Sequence, residues 1–147
     1  MKYAFCILAI LFVQSSFAVT ITSFNDSPAL LNVLEFIKDS ASDLKVSNRI
    51  SEKKMPIADS SKCVDVKAVV VLNEVEVAIQ NVLRYYPDEE LPLDEAYEDL
   101  STLLGVHTFR KCTFFYSNEK MKMKTVYFEN ALDSVHIKVD TITLIAQ

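Results

Sequence analysis

Apolar residues recur along much of the chain at the spacing of an amphipathic helix. In the segment 30–44 they follow each other at steps of three and four, and the preceding pair Ser27–Pro28 is typical of a helix N-terminus. A second stripe runs from Ala68 to Tyr86, within the stretch 62–86, which contains neither Gly nor Pro. The pattern predicts helices over about 28–44 and 62–86, with residues 47–61 as a fraying end and a connector.

Two features of the second stretch refine this prediction. Val64 and Val66 alternate with polar residues as in a strand, but the helical stripe extends over more of the segment. Asp59, Ser60 and Ser61 offer an N-cap, and Pro87 offers a stop. We therefore predict one long helix here.

A third helix is predicted from about Asp94 to Leu104. Asp94 can cap it, and its apolar positions recur at helical spacing. Gly105, the only glycine in the chain, follows the last apolar position, which is what a helix C-cap in the αL conformation requires.

Residues 106–147 fit two patterns. The segments CTFFY, MKMKTVYF and SVHIKVDTITLI, separated by SNEK and ENALDS, could form an antiparallel β-meander, and they are rich in β-branched and aromatic residues. A helical stripe from Phe128 to Ala146 competes with it, and the scarcity of glycine argues against tight hairpin turns. We predict a mainly α fold, a small helical bundle with one disulfide; the alternative is α+β, with N-terminal helices followed by a C-terminal meander.

The N-terminus has the pattern of a secretory signal peptide. Lys2 precedes the apolar run 4–13, and Ser16 and Ala18 are the small residues before a cleavage site at Val19. The apolar run is too short for a membrane helix, which needs roughly 20 residues. We expect residues 1–18 to be removed and residues 19–147 to form a single secreted, extracellular globular domain without a membrane span.

Cysteine usage agrees with export. Cys6 belongs to the predicted signal peptide, so that Cys63 and Cys112 remain and are expected to pair in an oxidising compartment. Zinc would need further ligands, and His107 and His136 stand at no recognisable metal-ligand spacing from the cysteines. We predict a disulfide and no metal site.

Charge is unevenly distributed. The chain has a net charge of −5, which argues against nucleic acid as the main partner. Acids dominate 74–99 without the ligand spacing of a calcium loop, and bases dominate 110–138. Neighbouring elements could neutralise each other; alternatively, the bases form a patch for an anionic partner, comprising Arg110, Lys111, Lys120, Lys122 and Lys124.

No catalytic signature is present in the sequence. It lacks a nucleophile elbow, a P-loop, an HExxH motif and a dinucleotide-binding fingerprint. His107 and His136 fit helix-boundary and surface positions better than a general base. Asn25–Asp26–Ser27 is a sequon, which makes Asn25 a candidate glycosylation site.

These observations predict a secreted, non-enzymatic binding protein without a cofactor that acts through its surface on an extracellular macromolecule. The alternative is an extracellular carrier of a small apolar ligand in a helical interior, suggested by the apolar content of 50%.

Overall fold

The computed structural model describes residues 20–40, 44–57 and 62–145. The predicted signal peptide, 1–18, and the N-cap predicted at 59–61 lie outside the described residues. None of the described helices has the length and apolar character that crossing a bilayer requires.

Helices cover one side of the described structure. A short 3-10 helix, Phe24–Asp26, leads into α1, Pro28–Ser40; α2 spans Ala68–Leu83 and α3 spans Leu93–Leu104. Ser27 begins α1 as predicted, since its Oγ accepts a hydrogen bond from the Leu30 N–H at 3.1 Å and its carbonyl accepts one from the Leu31 N–H. Gly105 ends α3 at the predicted position with φ of +61°, but its ψ of −139° is not that of the expected αL cap.

Five antiparallel strands form one sheet in the order β1-β5-β4-β3-β2. The long strands β3, β4 and β5 make a meander, and β2 pairs with only the first half of β3, from Thr108 to Cys112. The strands span Val46–Ser51 (β1), Cys63–Lys67 (β2), Thr108–Ser117 (β3), Met121–Asn130 (β4) and His136–Leu144 (β5).

The main core lies between the helices and one face of the sheet. Apolar side chains of α1 and α2 pack towards strand residues whose side chains are almost completely buried, among them Phe109, Phe128 and Ile137, and α3 packs against α1 and α2. Burying each such side chain stabilises the fold by roughly 1.5–3 kcal/mol relative to leaving it exposed. Helices α1 and α2 therefore depend on the sheet for burial of their apolar stripes, and α3 depends on these two helices.

The opposite face of the sheet carries a smaller buried group. The Thr125 hydroxyl donates a hydrogen bond of 2.6 Å to the Asp140 carboxylate, which also pairs with Lys138 at 3.1 Å. The ring of Tyr127 packs edge-on against Phe114, with centroids 5.8 Å apart. Residues 125–128 of β4 are consequently buried on both faces of the sheet.

The prediction of a mainly α helical bundle is wrong: the fold is α+β, and it matches the alternative. In the described part of the C-terminal segment, residues 106–145, three strands are found instead of helices. Two asparagine side chains make the turns that were expected to need glycine. Asn118 Oδ1 accepts from the N–H groups of Lys120 and Met121, and Asn130 Oδ1 accepts from those of Ser134 and Val135. Asp133 adopts the positive φ of 55° in the second turn.

The predicted boundaries of the earlier elements also need correction. The helix expected over 62–86 begins only at Ala68, because Cys63–Lys67 pairs with β3 as a strand. The connector expected over 47–61 contains β1, which pairs with β5 along its whole length. The third helix begins at Leu93 and has Pro92, not Asp94, as its N-cap.

The predicted disulfide is confirmed. Cys63 and Cys112 are directly opposite each other in the β2–β3 pair and are covalently joined.

Candidate functional site

The lysines of the predicted patch lie at the end of the sheet where β3 turns into β4. Lys122 and Lys124 are two residues apart on β4, so both face the side of the sheet that carries the helices. Phe115 is the cross-strand partner of Lys124 and shares that face. Lys120 lies in the turn, and Tyr116 points to the opposite face. We call these five residues the basic tip: Phe115, Tyr116, Lys120, Lys122 and Lys124.

The basic tip combines exposed rings with exposed charges. Phe115 is 78% exposed and Tyr116 is 53% exposed, which is unusual for large aromatic side chains in regular strands. Phe115, Lys122 and Lys124 line a shallow depression of about 500 Å³. Two lysines and no carboxylate are found among its eight lining residues, so the depression favours an anionic occupant.

Arg110 and Lys111 do not belong to the basic tip, although the sequence grouped them with its lysines. They lie in the half of β3 that is covered by β2. Arg110 pairs with the Glu129 carboxylate at 3.1 Å, and Lys111 pairs with Glu74 of α2. The Lys111–Glu74 pair links the acidic and basic segments of the sequence, as expected if neighbouring elements neutralise each other. The structure thus divides the predicted patch into two paired and three exposed cations.

The aromatic members of the basic tip were not predicted. The signal was present in the run Phe114–Phe115–Tyr116, because two of three consecutive residues in a strand share a face and the third faces the other side. Phe114 packs on Tyr127, whereas Phe115 and Tyr116 remain exposed. A helical interpretation of this segment concealed that alternation.

A second cluster of ionisable groups occupies the opposite end of the meander, at the turn between β4 and β5. Glu129, Asp133 and His136 have potential ligand atoms that all lie within 4.8 Å of one another. His136 Nε2 is 3.2 Å from the Asp133 carboxylate, and Lys54 Nζ is 3.3 Å from it. We call Lys54, Arg110, Glu129, Asp133 and His136 the paired end.

The two carboxylates of the paired end have partners on the protein, whereas His136 Nδ1 is buried without a hydrogen-bond partner among the described residues. A hydrogen bond with the Glu129 carboxyl, supported by the Lys54 ammonium, holds the pKa of Asp133 below its ordinary value. Both carboxylates already have cationic partners on the protein. A divalent metal ion could use the carboxylate oxygens and the imidazole, but it would have to compete with Lys54 and Arg110 for them.

The two histidines have different surroundings. His107 is exposed, and its ring lies next to Gly105 at the end of α3. His136 is partly buried and is the cross-strand partner of Glu129. Neither histidine contacts a serine or cysteine nucleophile through any hydrogen bond identified in the described residues. The absence of enzymatic activity stays a prediction.

The predicted glycosylation site lies at the start of the described chain. Asn25 is exposed in the 3-10 helix, whereas Ser27 of the same sequon is buried. Ser27 Oγ donates a hydrogen bond of 2.5 Å to the Asp99 carboxylate of α3. The acceptor side chain is therefore accessible in the folded protein, and the sequon's hydroxyl holds α1 against α3.

No protein-family model, no curated protein and no solved structure matches this chain.

Proposed function

We propose that this chain is an extracellular, non-enzymatic binding protein that acts on another macromolecule through the basic tip. The single observation that supports the proposal most is the exposure of Phe115 and Tyr116 beside three exposed lysines. Exposed aromatic residues and cations are typical of binding surfaces, because rings supply contact area at a low cost in conformational entropy.

Charge determines the kind of partner that we propose. Within residues 20–40, 44–57 and 62–145, no carboxylate forms an ion pair with a lysine of the basic tip, whereas Lys54 and Arg110 at the other end pair with Asp133 and Glu129. An acidic protein segment with apolar side chains would contact the lysines through its carboxylates and Phe115 through its apolar groups. Ion pairs between these lysines and the carboxylates of the partner would increase the association rate more than the final affinity, and salt would weaken them.

Retention of a partner by the immobilised protein tests this proposal. The test protein is the secreted chain, exposed to the extracellular fluid of its source at low and at physiological salt. Retention that falls with salt and is lost in a Lys120→Glu, Lys122→Glu, Lys124→Glu variant is the expected result. Phe115→Ala should weaken retention without changing its dependence on salt.

A matched control separates the basic tip from net charge. Lys38, Lys53 and Lys62 are also exposed and lie outside the basic tip, so changing all three to Glu alters the charge equally. We expect this control variant to retain the same partners as the unmodified protein. Equal loss in both triple variants would show that net charge, and not the basic tip, is responsible, and would contradict the proposal.

A further inference from the structure

The second half of strand β3 forms an edge of the sheet. Strand β2 pairs with β3 only from Thr108 to Cys112. No strand within residues 20–40, 44–57 and 62–145 pairs with the next five residues, Thr113–Ser117, on that side, whereas β4 pairs with all five on the other side. We call Thr113–Ser117 the open edge. It contains Phe115 and Tyr116, the two exposed aromatic residues of the basic tip.

The hairpin between β3 and β4 shows which backbone groups of the open edge point outward. The Asn118 N–H donates to the Met121 carbonyl at 2.9 Å, and hydrogen-bonded pairs alternate with non-hydrogen-bonded pairs along antiparallel strands. Even-numbered residues of β3 therefore bond to β4, and the N–H and C=O groups of Phe115 and Ser117 point away from it. The Cα atoms joined by the disulfide are 4.2 Å apart, the spacing of a non-hydrogen-bonded pair, which agrees with this alternation.

The open edge lacks the features that commonly prevent a sheet edge from pairing with another chain. Such edges usually carry charged side chains, proline or a bulge. The five residues of the open edge include no charged residue and no proline, and their register with β4 is continuous. An extended chain can therefore bond to the backbone of Phe115 and Ser117 and cover the exposed rings at the same time.

The side chains next to the open edge determine which chain fits there. Ser117 is the cross-strand partner of Lys122, so an added residue opposite Ser117 would lie two strand spacings from Lys122, about 10 Å between backbones. A lysine and a glutamate side chain together span this distance across the small serine. An added residue opposite Phe115 would contact the ring and should be apolar.

A second copy of this chain fits the open edge less well than an acidic partner. Pairing two open edges would bring two sets of Lys120, Lys122 and Lys124 to one continuous sheet. Like charges on neighbouring strands oppose such pairing, whereas carboxylates on the added strand would favour it.

We propose that the open edge binds a partner protein by antiparallel β-strand addition, and that the added strand carries an acidic residue and, two positions later, an apolar residue. The acidic residue lies opposite Ser117 and pairs with Lys122. The apolar residue lies opposite Phe115 and exchanges two backbone hydrogen bonds with it. This inference rests on the function proposed for the basic tip, and it specifies the conformation and the sequence pattern of the partner segment.

Amide hydrogen exchange, measured by NMR with a synthetic strand, tests the proposal. The probe is the capped heptapeptide acetyl-Thr-Thr-Glu-Thr-Val-Thr-Thr-amide, whose Glu and Val have the proposed spacing. We expect the amides of Phe115 and Ser117 to exchange rapidly in the unbound protein and at least about tenfold more slowly at saturating peptide. The Tyr116 amide, bonded to β4, should exchange slowly in both states.

Three results of this experiment would overturn the proposal. Slow exchange of Phe115 and Ser117 in the unbound protein would show that the open edge is already covered, by another part of the chain or by a second copy. Saturation without slower exchange would place the peptide elsewhere. Absence of saturable binding at millimolar peptide would show that the edge does not accept a strand of this pattern.

Modified peptides separate strand addition from attraction between side chains. A methyl group on the Val nitrogen removes the donor to the Phe115 carbonyl and should weaken binding by about tenfold or more. The same group on the nitrogen of the preceding Thr, which points away from β3, should change the affinity by less than about twofold. Equal weakening by both would contradict strand addition. Replacing Glu by Gln should weaken binding and remove its dependence on salt.

A proline in the open edge gives the matching change in the protein. Ser117→Pro removes an outward N–H and no bond to β4, and proline is tolerated in edge strands at such positions. We expect it to weaken peptide binding by about tenfold or more, whereas Ser117→Ala, which keeps the N–H, should bind normally. Slow exchange of the Tyr116 amide in both variants verifies that β3 still pairs with β4.

Partner retention by the same variants separates this inference from the proposed function. Ser117→Pro keeps Phe115 and every lysine of the basic tip, and we expect it to lose the partner that Ser117→Ala retains. Full retention by Ser117→Pro, with loss in the triple lysine variant, would contradict strand addition and leave the proposed function in place. Full retention by the triple lysine variant would contradict the proposed function, and this inference with it.

Discussion

The two ends of the meander are built from the same three strands, but charged side chains form ion pairs at one end and are exposed at the other. At the paired end, Lys54 and Arg110 each contact a carboxylate, and His136 lies beside Asp133. At the basic tip, lysines project next to Phe115 and Tyr116, in a depression without a carboxylate in its lining. One end of the sheet is internally neutralised, whereas the other end exposes the lysines and the aromatic rings of the basic tip.

The same contrast appears within strand β4. Its first four residues alternate between partly buried and exposed side chains, and residues 125–128 are all buried. Helices cover one side of this second half, and the group around Tyr127 fills the other. The second half of the strand therefore supports the fold, and the first half is available for binding.

Removing one phenyl ring from the buried half of β4 and one from the basic tip should give the largest difference. Phe128 is 1% exposed, and Phe128→Ala should lower the free energy of unfolding by about 3–5 kcal/mol because a cavity is left in the core. Phe115→Ala, at the basic tip, should change it by no more than about 0.5 kcal/mol. Urea denaturation of both variants measures this, and similar losses in the two would show that the basic tip is part of the core.

The disulfide lies where the covered half of β3 ends. It closes a loop between residues 49 positions apart, so Cys63→Ala with Cys112→Ala should lower the free energy of unfolding by about 2–5 kcal/mol. Reduction of the unmodified protein should have a similar effect. If the double variant is as stable as the unmodified protein, β2 is held to β3 by its backbone hydrogen bonds alone.

Reversing one charge at each end compares the ends directly. Arg110 faces Asp65 on one neighbouring strand and Glu129 on the other, so Arg110→Glu brings three acids together. We expect it to lower the free energy of unfolding by about 1 kcal/mol, less at high salt. Lys124 lies opposite Thr141 and Phe115, neither of which is charged. Lys124→Glu should therefore lower the free energy of unfolding by less than about 0.5 kcal/mol. Urea denaturation of both variants measures this, and equal losses in the free energy of unfolding would contradict the distinction between the two ends.

The cap at Ser27 and the helix end at Gly105 were predicted from the sequence because both depend on local chemistry, and a single glycine beyond an apolar stripe has one common use. The disulfide was predicted for another reason: once Cys6 is assigned to the predicted signal peptide, Cys63 and Cys112 have one simple pairing. Periodicity also located the middle of all three helices, where one face is buried and the other exposed.

The apolar periodicity did not identify strands whose side chains are buried on both faces of the sheet. Residues 125–128 are buried on both faces, so β4 loses the alternation that identifies a strand. Val64 and Val66 did alternate, but the register with β3 that makes them a strand is a long-range contact. The scarcity of glycine wrongly argued against the two hairpin turns. These turns do not need glycine, because the side chains of Asn118 and Asn130 accept hydrogen bonds from backbone N–H groups of the turns.

The candidate sites show the same limit. Three of the five predicted patch residues do lie together at the basic tip, since alternation along one strand brings Lys122 and Lys124 to one face. Arg110 and Lys111 were grouped with them by sequence distance, yet their partners come from other elements.

The smallest expected effect concerns acid stability at the paired end. The hydrogen bond with Glu129 and the ammonium of Lys54 lower the pKa of Asp133 in the folded protein. A carboxyl whose pKa is lower when folded stabilises the fold above its unfolded pKa, about 3.9, and loses that contribution as pH falls through the folded value. Asp133→Asn should therefore be less stable than the unmodified protein at neutral pH, and the difference should shrink below about pH 4. Asp88→Asn removes the same charge from the exposed turn after α2 and serves as the control. Denaturation of both variants and of the unmodified protein over a pH range of about 2–7, which brackets the unfolded pKa of Asp, measures these differences in stability. A difference between Asp133→Asn and the unmodified protein that grows on acidification would contradict a lowered pKa of Asp133.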